Sequence, residues 1–571
     1  MRNLSVLLVL AFLPFSSLLG RNLTPAPTLT EEVTGADNLT EIVVSDGESL
    51  HAALRQVREW RRTGDERCRH GVTISVRAGC YYMSEPLFLR PEDSGTAEAP
   101  TIIRGEEGTV IYGDPRQRHH LIWPREGMGR LLGFDTEART ITIPTPLQMP
   151  PGALEELLSP PRRKGQYTGD GHREPFGNGL EMVVCQRWAM AILRVKGMEQ
   201  RGDSIVVTFM EPESRLEFDH PWPQPVIGDY KSPPTDYKSP PTDYKSPPTG
   251  NSAFMLRTTE LRDGIEQLVV IGGTDEHRVS HIRFENITFE NTCWNRPLHR
   301  GHVTLQGGMP LVDAYKLKEH EGLPWDAGLE NQAWVERPVA AVSVSHASQV
   351  SFQDCTFRKT GATALDFIDD TDSCSVMGCT FSDIGGTAIM AGSFAESPRE
   401  VHRPYDDLAP RTRHLTISGN TISHASTEDW GAVAIGCGYV SDTDISHNHI
   451  DHVNYSGICV GWGWTARETG MVRNLIYNNN VSGYALQLYD AGGIYTLSNQ
   501  PGSVIRDNVI GTPGPAPYAT NDRAFRIYLD ARTDGYTIEG NTTEKGEPVS
   551  RDDIGDNQPG PNIVFVSNNT Q

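Results

Sequence analysis

The strongest constraint on this chain is a recurring corner built around asparagine. From residue 352 onward the sequence returns to one short unit. It reads Phe352-Gln-Asp-Cys-Thr-Phe357, Val376-Met-Gly-Cys-Thr-Phe381, Ile417-Ser-Gly-Asn-Thr-Ile422, Ile445-Ser-His-Asn-His-Ile450, Ile476-Tyr-Asn-Asn-Asn-Val481 and Ile505-Arg-Asp-Asn-Val-Ile510. A weaker copy ends at Thr543, and another precedes the series at Phe284–Phe289. The fixed position is Ile287, Cys355 and Cys379, then Asn420, Asn448, Asn479, Asn508, Asn541 and Asn569. From Cys355 on, neighbouring copies lie 24 to 41 residues apart, mostly near 30. Units of that size with several short strands stack into a solenoid. The pattern predicts an all-β chain, a right-handed parallel β-helix. Asn is expected to take the left-handed conformation of each corner, because it tolerates that region. Its amides should form a ladder along the axis. A propeller needs a more uniform period, and a sandwich needs antiparallel hairpins between neighbouring strands.

The rest of the chain arranges itself around that solenoid. Residues 1–20 carry Arg2, an apolar run from Leu4 to Phe15 and small residues up to Gly20, the pattern of a secretory signal peptide. The expected location is secreted or periplasmic, with no membrane span after cleavage. Residues 21–45 read as a linker. Residues 46–119 read as the first part of the β-helix, opened by a capping helix from Ser49 to Arg62 with Leu50, Ala53, Leu54, Val57 and Trp60 at helical spacing. Residues 120–270 break the rhythm and read as an inserted β-rich domain, within which Asp-Tyr-Lys-Ser-Pro-Pro-Thr repeats three times over 229–249. Two prolines per heptad forbid helix and favour an extended surface loop. Residues 271–571 read as the main β-helix.

Composition narrows the function. A net charge of -22 argues against a nucleic-acid partner, which calls for excess Lys and Arg. Nine cysteines leave at least one unpaired, and Cys68 with Cys80 is a possible disulfide. No cofactor or metal is called for. His447, His449 and His452 flank one corner but are expected to face different ways.

Chemistry concentrates on neighbouring coils. These carry Thr427-Glu-Asp-Trp430, Tyr455-Ser-Gly-Ile-Cys-Val-Gly-Trp-Gly-Trp464, Asp490-Ala-Gly-Gly-Ile-Tyr495 and Phe525-Arg-Ile-Tyr-Leu-Asp530. Aromatic platforms beside carboxylates suit a glycan-binding groove. The flanking glycines suggest that Trp462 and Trp464 stand uncovered, and Gly492-Gly493 suggests close approach of a ligand to the backbone. Asp490 and Asp530 are the leading catalytic pair. One coil apart, they would stand near ~5 Å, the separation for retaining glycoside hydrolysis. Trp430, Trp462, Trp464, Tyr495, Arg526 and Tyr528 form the expected substrate-binding set. Glu428, Asp429, Asp366, Asp369 and Asp370 are lesser candidates.

These motifs resemble glycoside hydrolase family 141, whose known activities include α-L-fucosidase and xylanase. Phe289-Glu-Asn-Thr-Cys-Trp294, Gly301-His-Val-Thr-Leu-Gln306 and Arg337-Pro-Val-Ala-Ala-Val342 belong to the same resemblance. It spans about residues 46–118 and 270–545, with 120–270 similar to the family's inserted domain. It implies Asp490 and Asp530 as the catalytic carboxylates, a retaining outcome, and an oligosaccharide or polysaccharide substrate. Ala531 departs from the pattern, since a second acidic residue is expected there. Two other functions fit a β-helix: a polysaccharide lyase, which needs a basic catalytic residue and often calcium, and a non-catalytic glycan-binding or adhesion solenoid. Only Arg526 supplies an obvious base beside the acids.

Overall fold

A computed structural model describes residues 30–33, 40–124, 128–146, 179–219, 253–313, 334–394, 412–516 and 523–566, together with Gly152 and Leu158. The expected signal peptide and the heptad repeat 229–249 lie outside the described residues.

The repeat unit folds as a coil of three strands. Thr416–Ser418 lies in a first sheet, Thr421–Ala425 in a second and Ile435–Cys437 in a third, before Asp444–Ser446 re-enters the first. Like strands pair in parallel with like strands of the next coil, giving sheets of 13, 10 and 13 strands among the described residues, the first edged by Thr30–Val33 in antiparallel pairing. The chain is therefore a parallel β-helix. Inward residues stack in rows, including Phe284 on Phe352 at 5.2 Å and Phe357 on Phe381 at 4.7 Å between ring centroids. The helix Gly47–Thr63, N-capped by Asp46, closes one end, with Leu50, Ala53, Val57 and Trp60 buried in the same core. Its first covered strand is Thr40–Val44, which pairs with Val72–Val76. The coil thus begins inside the segment read as a linker, because Ile42 and Val44 alternate into the core.

The corner asparagines do form a ladder. The Nδ2 of Asn420, Asn448, Asn479 and Asn508 each donates to Oδ1 of the next, at 2.9–3.0 Å. Each accepting Oδ1 also takes the preceding Asn's backbone N–H, at 2.9–3.1 Å. The expected backbone conformation was misplaced by one residue. Positive φ falls on Gly419, His447, Asn478, Asp507 and Gly540, immediately before each Asn. The bend is made there, which frees the Asn side chain to point inward and bond. Cys355 and Cys379 occupy the same row and are buried. All nine cysteines are free. The Cys68–Cys80 pairing does not form: Cys68 packs partly on the core after the capping helix, whereas Cys80 faces outward on Gly79–Tyr82.

After Thr109–Tyr112 the chain leaves the solenoid and builds an antiparallel sheet from strands including Thr140–Pro144, Leu180–Cys185, Met190–Arg201, Ser204–Phe209 and Ala253–Thr259. It returns at Val269–Gly272, which pairs with Leu87–Leu89 of the previous coil. Nothing separates those two coils in space, so the excursion is an insertion between adjacent turns. Its core merges with side chains on the outer face of the third sheet, including Met390, Tyr439, Tyr495 and Tyr528. Antiparallel pairing of Ala191–Ile192 with His302–Val303 ties the insert to the segment that crosses that face.

Two stability predictions follow from this packing. Asn448→Ala leaves the Asn420 amides without their acceptor inside the solenoid, and should cost about 1–3 kcal/mol in chemical denaturation. The second concerns the insert. Glu217 is buried, accepts both amide bonds of Gln186 at 2.6 and 2.8 Å, and is pushed up to about 8 by burial. The unfolded chain releases that proton nearer the ordinary Glu value of ~4.3. The folded state therefore loses stability as pH rises from about 4.5 to 8. Glu217→Gln should flatten that decline, read as the difference in Tm between pH 5 and pH 8.

Candidate active site

The outer face of the third sheet collects a continuous polar network. Tyr495 and Tyr528 occupy the same register on Ala491–Thr496 and Ala524–Leu529, with ring centroids 5.2 Å apart and planes at 89°. Tyr528 donates to Oδ1 of Asp490 at 2.8 Å. The Tyr495 hydroxyl donates to Oδ2 of Asp530. Gln306, on the segment tied to the insert, donates to Tyr495 at 2.7 Å and to Tyr455 at 3.3 Å. Tyr455 in turn donates to the backbone carbonyl of Asp490 at 3.0 Å. Since Gln306 occupies the Tyr495 oxygen as donor, the phenol proton is directed to Asp530.

The two acids differ in surroundings. Asp530 is 7% exposed, and its other oxygen accepts from Asn557 at 2.7 Å. Burial raises its pKa, against the hydrogen bonds of Tyr495 and Asn557, which lower it. Asp490 is more open, and Arg523 lies 3.7 Å from its Oδ1. Its backbone takes φ 61°, the left-handed conformation that Asp tolerates and that corners along this chain use repeatedly. Burial raises the pKa values of Tyr455, Tyr495 and Tyr528 well above normal, so all three are neutral donors.

The acids are not stacked at one position of the coil, as the sequence reading supposed. Asp490 precedes its strand, whereas Asp530 follows the neighbouring one. They are joined instead through the paired tyrosines, whose side chains run between the two strand ends.

Several expected binding residues are packed into the protein or paired away from the acids. Trp462 and Trp464 are buried, 3% and 4% exposed, packed on each other at 4.7 Å, with Phe394 edge-on to Trp462. The flanking glycines serve tight backbone turns at positive φ and do not uncover the rings. Trp430 is half-buried against Met190 of the insert, its backbone N–H 2.9 Å from the sulfur. Arg526 turns away to Asp553 at 2.7 Å and Glu544 at 3.4 Å, so it does not meet the acids. Gly492 and Gly493 are fixed by packing: a Cβ would meet the Ile494 carbonyl at 2.7 Å or the Ile510 side chain at 2.5 Å. Among the lesser candidates, Asp366 is held by Arg337, Asp370 by Arg278, Glu428 by His119 and Arg116, and Asp429 by His302. His447, His449 and His452 are exposed and do not converge, since His452 pairs with Asp451 while His447 meets Asn478. Among the described residues one trio, Asp275, His346 and Asp370, has metal-ligand spacing, but Arg278 already forks onto Asp370.

Gln306, Tyr455, Arg523 and Asn557 escaped the sequence reading of the site. Each comes from a different part of the chain, and only the coil stacking and the segment tied to the insert assemble them. Gln306 and Tyr455 stood inside quoted motifs, but nothing local marked their roles.

Comparison with known proteins shows the family of the chain. A solved structure described as a glycoside hydrolase is similar over 92% of this chain and 96% of its own, at 32% identity and a TM-score of 0.75. The GH141 insertion domain matches residues 116–237. The chain belongs to glycoside hydrolase family 141. Its insertion is the family's own, and its partner is a carbohydrate. More distant folds include DFA-IIIase from Arthrobacter chlorophenolicus A6 without its lid, at 10% identity and TM-score 0.37 over 92% of this chain and 86% of that one. Another is XylC in complex with xylose, at 12% identity and TM-score 0.35 over 83% of this chain and 65% of that one. No curated protein matches the chain. Among the described residues no helix is long and apolar enough to cross a membrane.

The opposed influences on Asp530 yield a test. Tyr495→Phe removes a hydrogen bond that favours the ionised carboxylate. The Asp530 pKa should rise further. If Asp530 is the proton donor, the alkaline limb of kcat/KM should move to higher pH.

Proposed function

We propose that the protein hydrolyses glycosidic bonds of a complex polysaccharide or its oligosaccharides by a two-carboxylate mechanism at Asp490 and Asp530. The observation that carries this reading is their unequal setting around one tyrosine pair. Burial keeps Asp530 disposed to hold a proton, suiting it to protonate the leaving oxygen. Asp490, beside Arg523 and under the Tyr528 hydroxyl, suits the ionised partner that attacks the anomeric carbon. The retaining outcome is taken from the resemblance to family 141, not from the spacing of the acids; in that cycle the glycosyl group passes to Asp490 as the leaving alcohol takes the Asp530 proton. Asp530 then accepts a proton from the water that releases the sugar.

The substrate reading is an α-L-fucoside or xylan-type glycan, taken from the resemblance to family 141. Export through residues 1–20 fits a polysaccharide substrate, which cannot enter a cell intact. The decisive experiment is a panel of aryl α-L-fucosides, β-xylosides and α-galactosides with xylan and pectin side-chain oligosaccharides. A hydrolase releases reducing ends without the ultraviolet absorbance of an unsaturated uronate. Asp490→Asn and Asp530→Asn should each lower kcat by about 10³-fold or more, roughly 4 kcal/mol of transition-state stabilisation. Full turnover in either variant would sink the assignment. Proton NMR of the first-formed anomer tests retention, and an inverted product would replace the covalent step with direct attack by water.

A further inference from the structure

A cavity of about 560 Å³ opens beside the third sheet, and neither Asp490 nor Asp530 lines it. Its size falls within the ~300–1,000 Å³ of ligand sites. The floor is made where three successive coils enter that sheet, at Ala362–Thr363, Gly386–Thr387 and Asp429–Ala432. Small residues at the same step of each coil leave the hollow. Asp490 stands at the same entry edge two strands farther along, past Ile458–Val460. At ~4.8 Å per strand the cavity's near end lies about 10 Å from it along the axis.

One segment spans both places. Gly308 packs on Asp429 and Ala432 at the cavity, while Gln306 two residues earlier holds Tyr455 and Tyr495 of the carboxylate network.

The chemistry of the walls narrows the ligand. Nearly every charge there is already matched: Arg296 with Glu336 at 3.0 Å, His302 with Asp429 at 2.9 Å and Arg337 with Asp366 at 2.6 Å. Glu266 is the exception. It forms no ion pair among the described residues, accepts the Asn295 backbone N–H at 2.7 Å, and is raised in pKa by burial. Arg300 shares Glu336 with Arg296, and the further acids of the wall, Asp263, Glu266 and Asp429, keep it mixed in charge with no single-sign patch. Trp294, Pro338 and Val339 supply apolar wall. Compensated polar groups around an aromatic and aliphatic surface suit hydroxyls and C–H faces of an uncharged sugar.

We propose that this cavity is a second sugar site, holding an uncharged pentose or hexose unit of the glycan that is cut at Asp490 and Asp530. The proposal rests on that placement of the reaction. Glycan length then becomes a determinant of affinity, since a single glycoside reaches the acids but not the cavity.

The test uses the full-length protein and two variants, Val339→Trp to fill the cavity and Glu266→Gln to change its one unpaired carboxylate while keeping its shape. L-fucose, D-xylose and D-galactose are titrated singly by saturation-transfer NMR, with D-galacturonate as the charged control. Loss of a neutral-sugar signal in Val339→Trp, with weakening in Glu266→Gln, is the expected result. For substrates, the ratio of KM for oligosaccharide to KM for aryl glycoside should rise at least tenfold in Val339→Trp. Equal losses on both substrates would overturn the proposal and make the cavity part of the reaction centre. An unchanged ratio with unchanged sugar binding would overturn it too, as would preferential binding of D-galacturonate. Failure of the acid assignment is seen separately, as turnover surviving in Asp490→Asn or Asp530→Asn, and the difference in sugar binding between the parent protein and Val339→Trp reads the cavity without any turnover.

Discussion

Register between coils is the constraint on which everything else depends. Parallel strands have no hairpin to fix their alignment, and a slip of one residue would turn a core row outward. The buried amide ladder from Asn420 to Asn541 prevents this, because each side chain bonds the next at one level only. An Asn shifted out of step would leave buried donors and acceptors unmet, at a cost of about 1–3 kcal/mol each. The stacked Phe row sets the same register by shape at the earlier coils, where Ile287, Cys355 and Cys379 replace Asn.

With register fixed, side chains far apart in sequence meet on one face. Tyr495 lies over Tyr528 because their strands align residue for residue, and their hydroxyls reach acids at opposite strand ends. The insert does the remaining work. By packing on the third sheet it covers Tyr495 and Tyr528, and by pairing with His302–Val303 it holds the segment that brings Gln306 onto Tyr495 and Tyr455. Low dielectric around Asp530 raises its proton affinity, while Asp490 keeps a cation nearby. The two carboxylates thus differ in surroundings although they stand on adjacent coils of one repetitive scaffold.

Much of the fold was legible from sequence. The helix differs by a residue or two at its ends, and the insertion is visible as a break in rhythm. Periodicity made that possible, since a repeated unit states its rule many times. The left-handed residue was placed one position late, because a corner pattern does not tell which of two adjacent residues makes the bend. For the site, the motif strings contained Asp490, Asp530, Tyr495 and Tyr528, which the structure joins in one network. The tryptophans were misjudged for a physical reason. Glycine neighbours describe the local chain, whereas burial of Trp462 and Trp464 depends on Phe394 and other groups distant in sequence. Arg526 was misjudged likewise, since Asp553 and Glu544 on a later coil draw it away.

By itself, the sequence determined the coil: its length, its corners, its inward rows and the asparagine ladder. These follow from short-range patterning repeated along the chain. Tertiary structure alone decided which residues share a surface, where the insert sits, how deeply each carboxylate is buried, and that a cavity opens on the same sheet edge. Those properties depend on contacts between residues tens to hundreds of positions apart, and proton affinity depends on them most steeply, because desolvation is set by everything that excludes water.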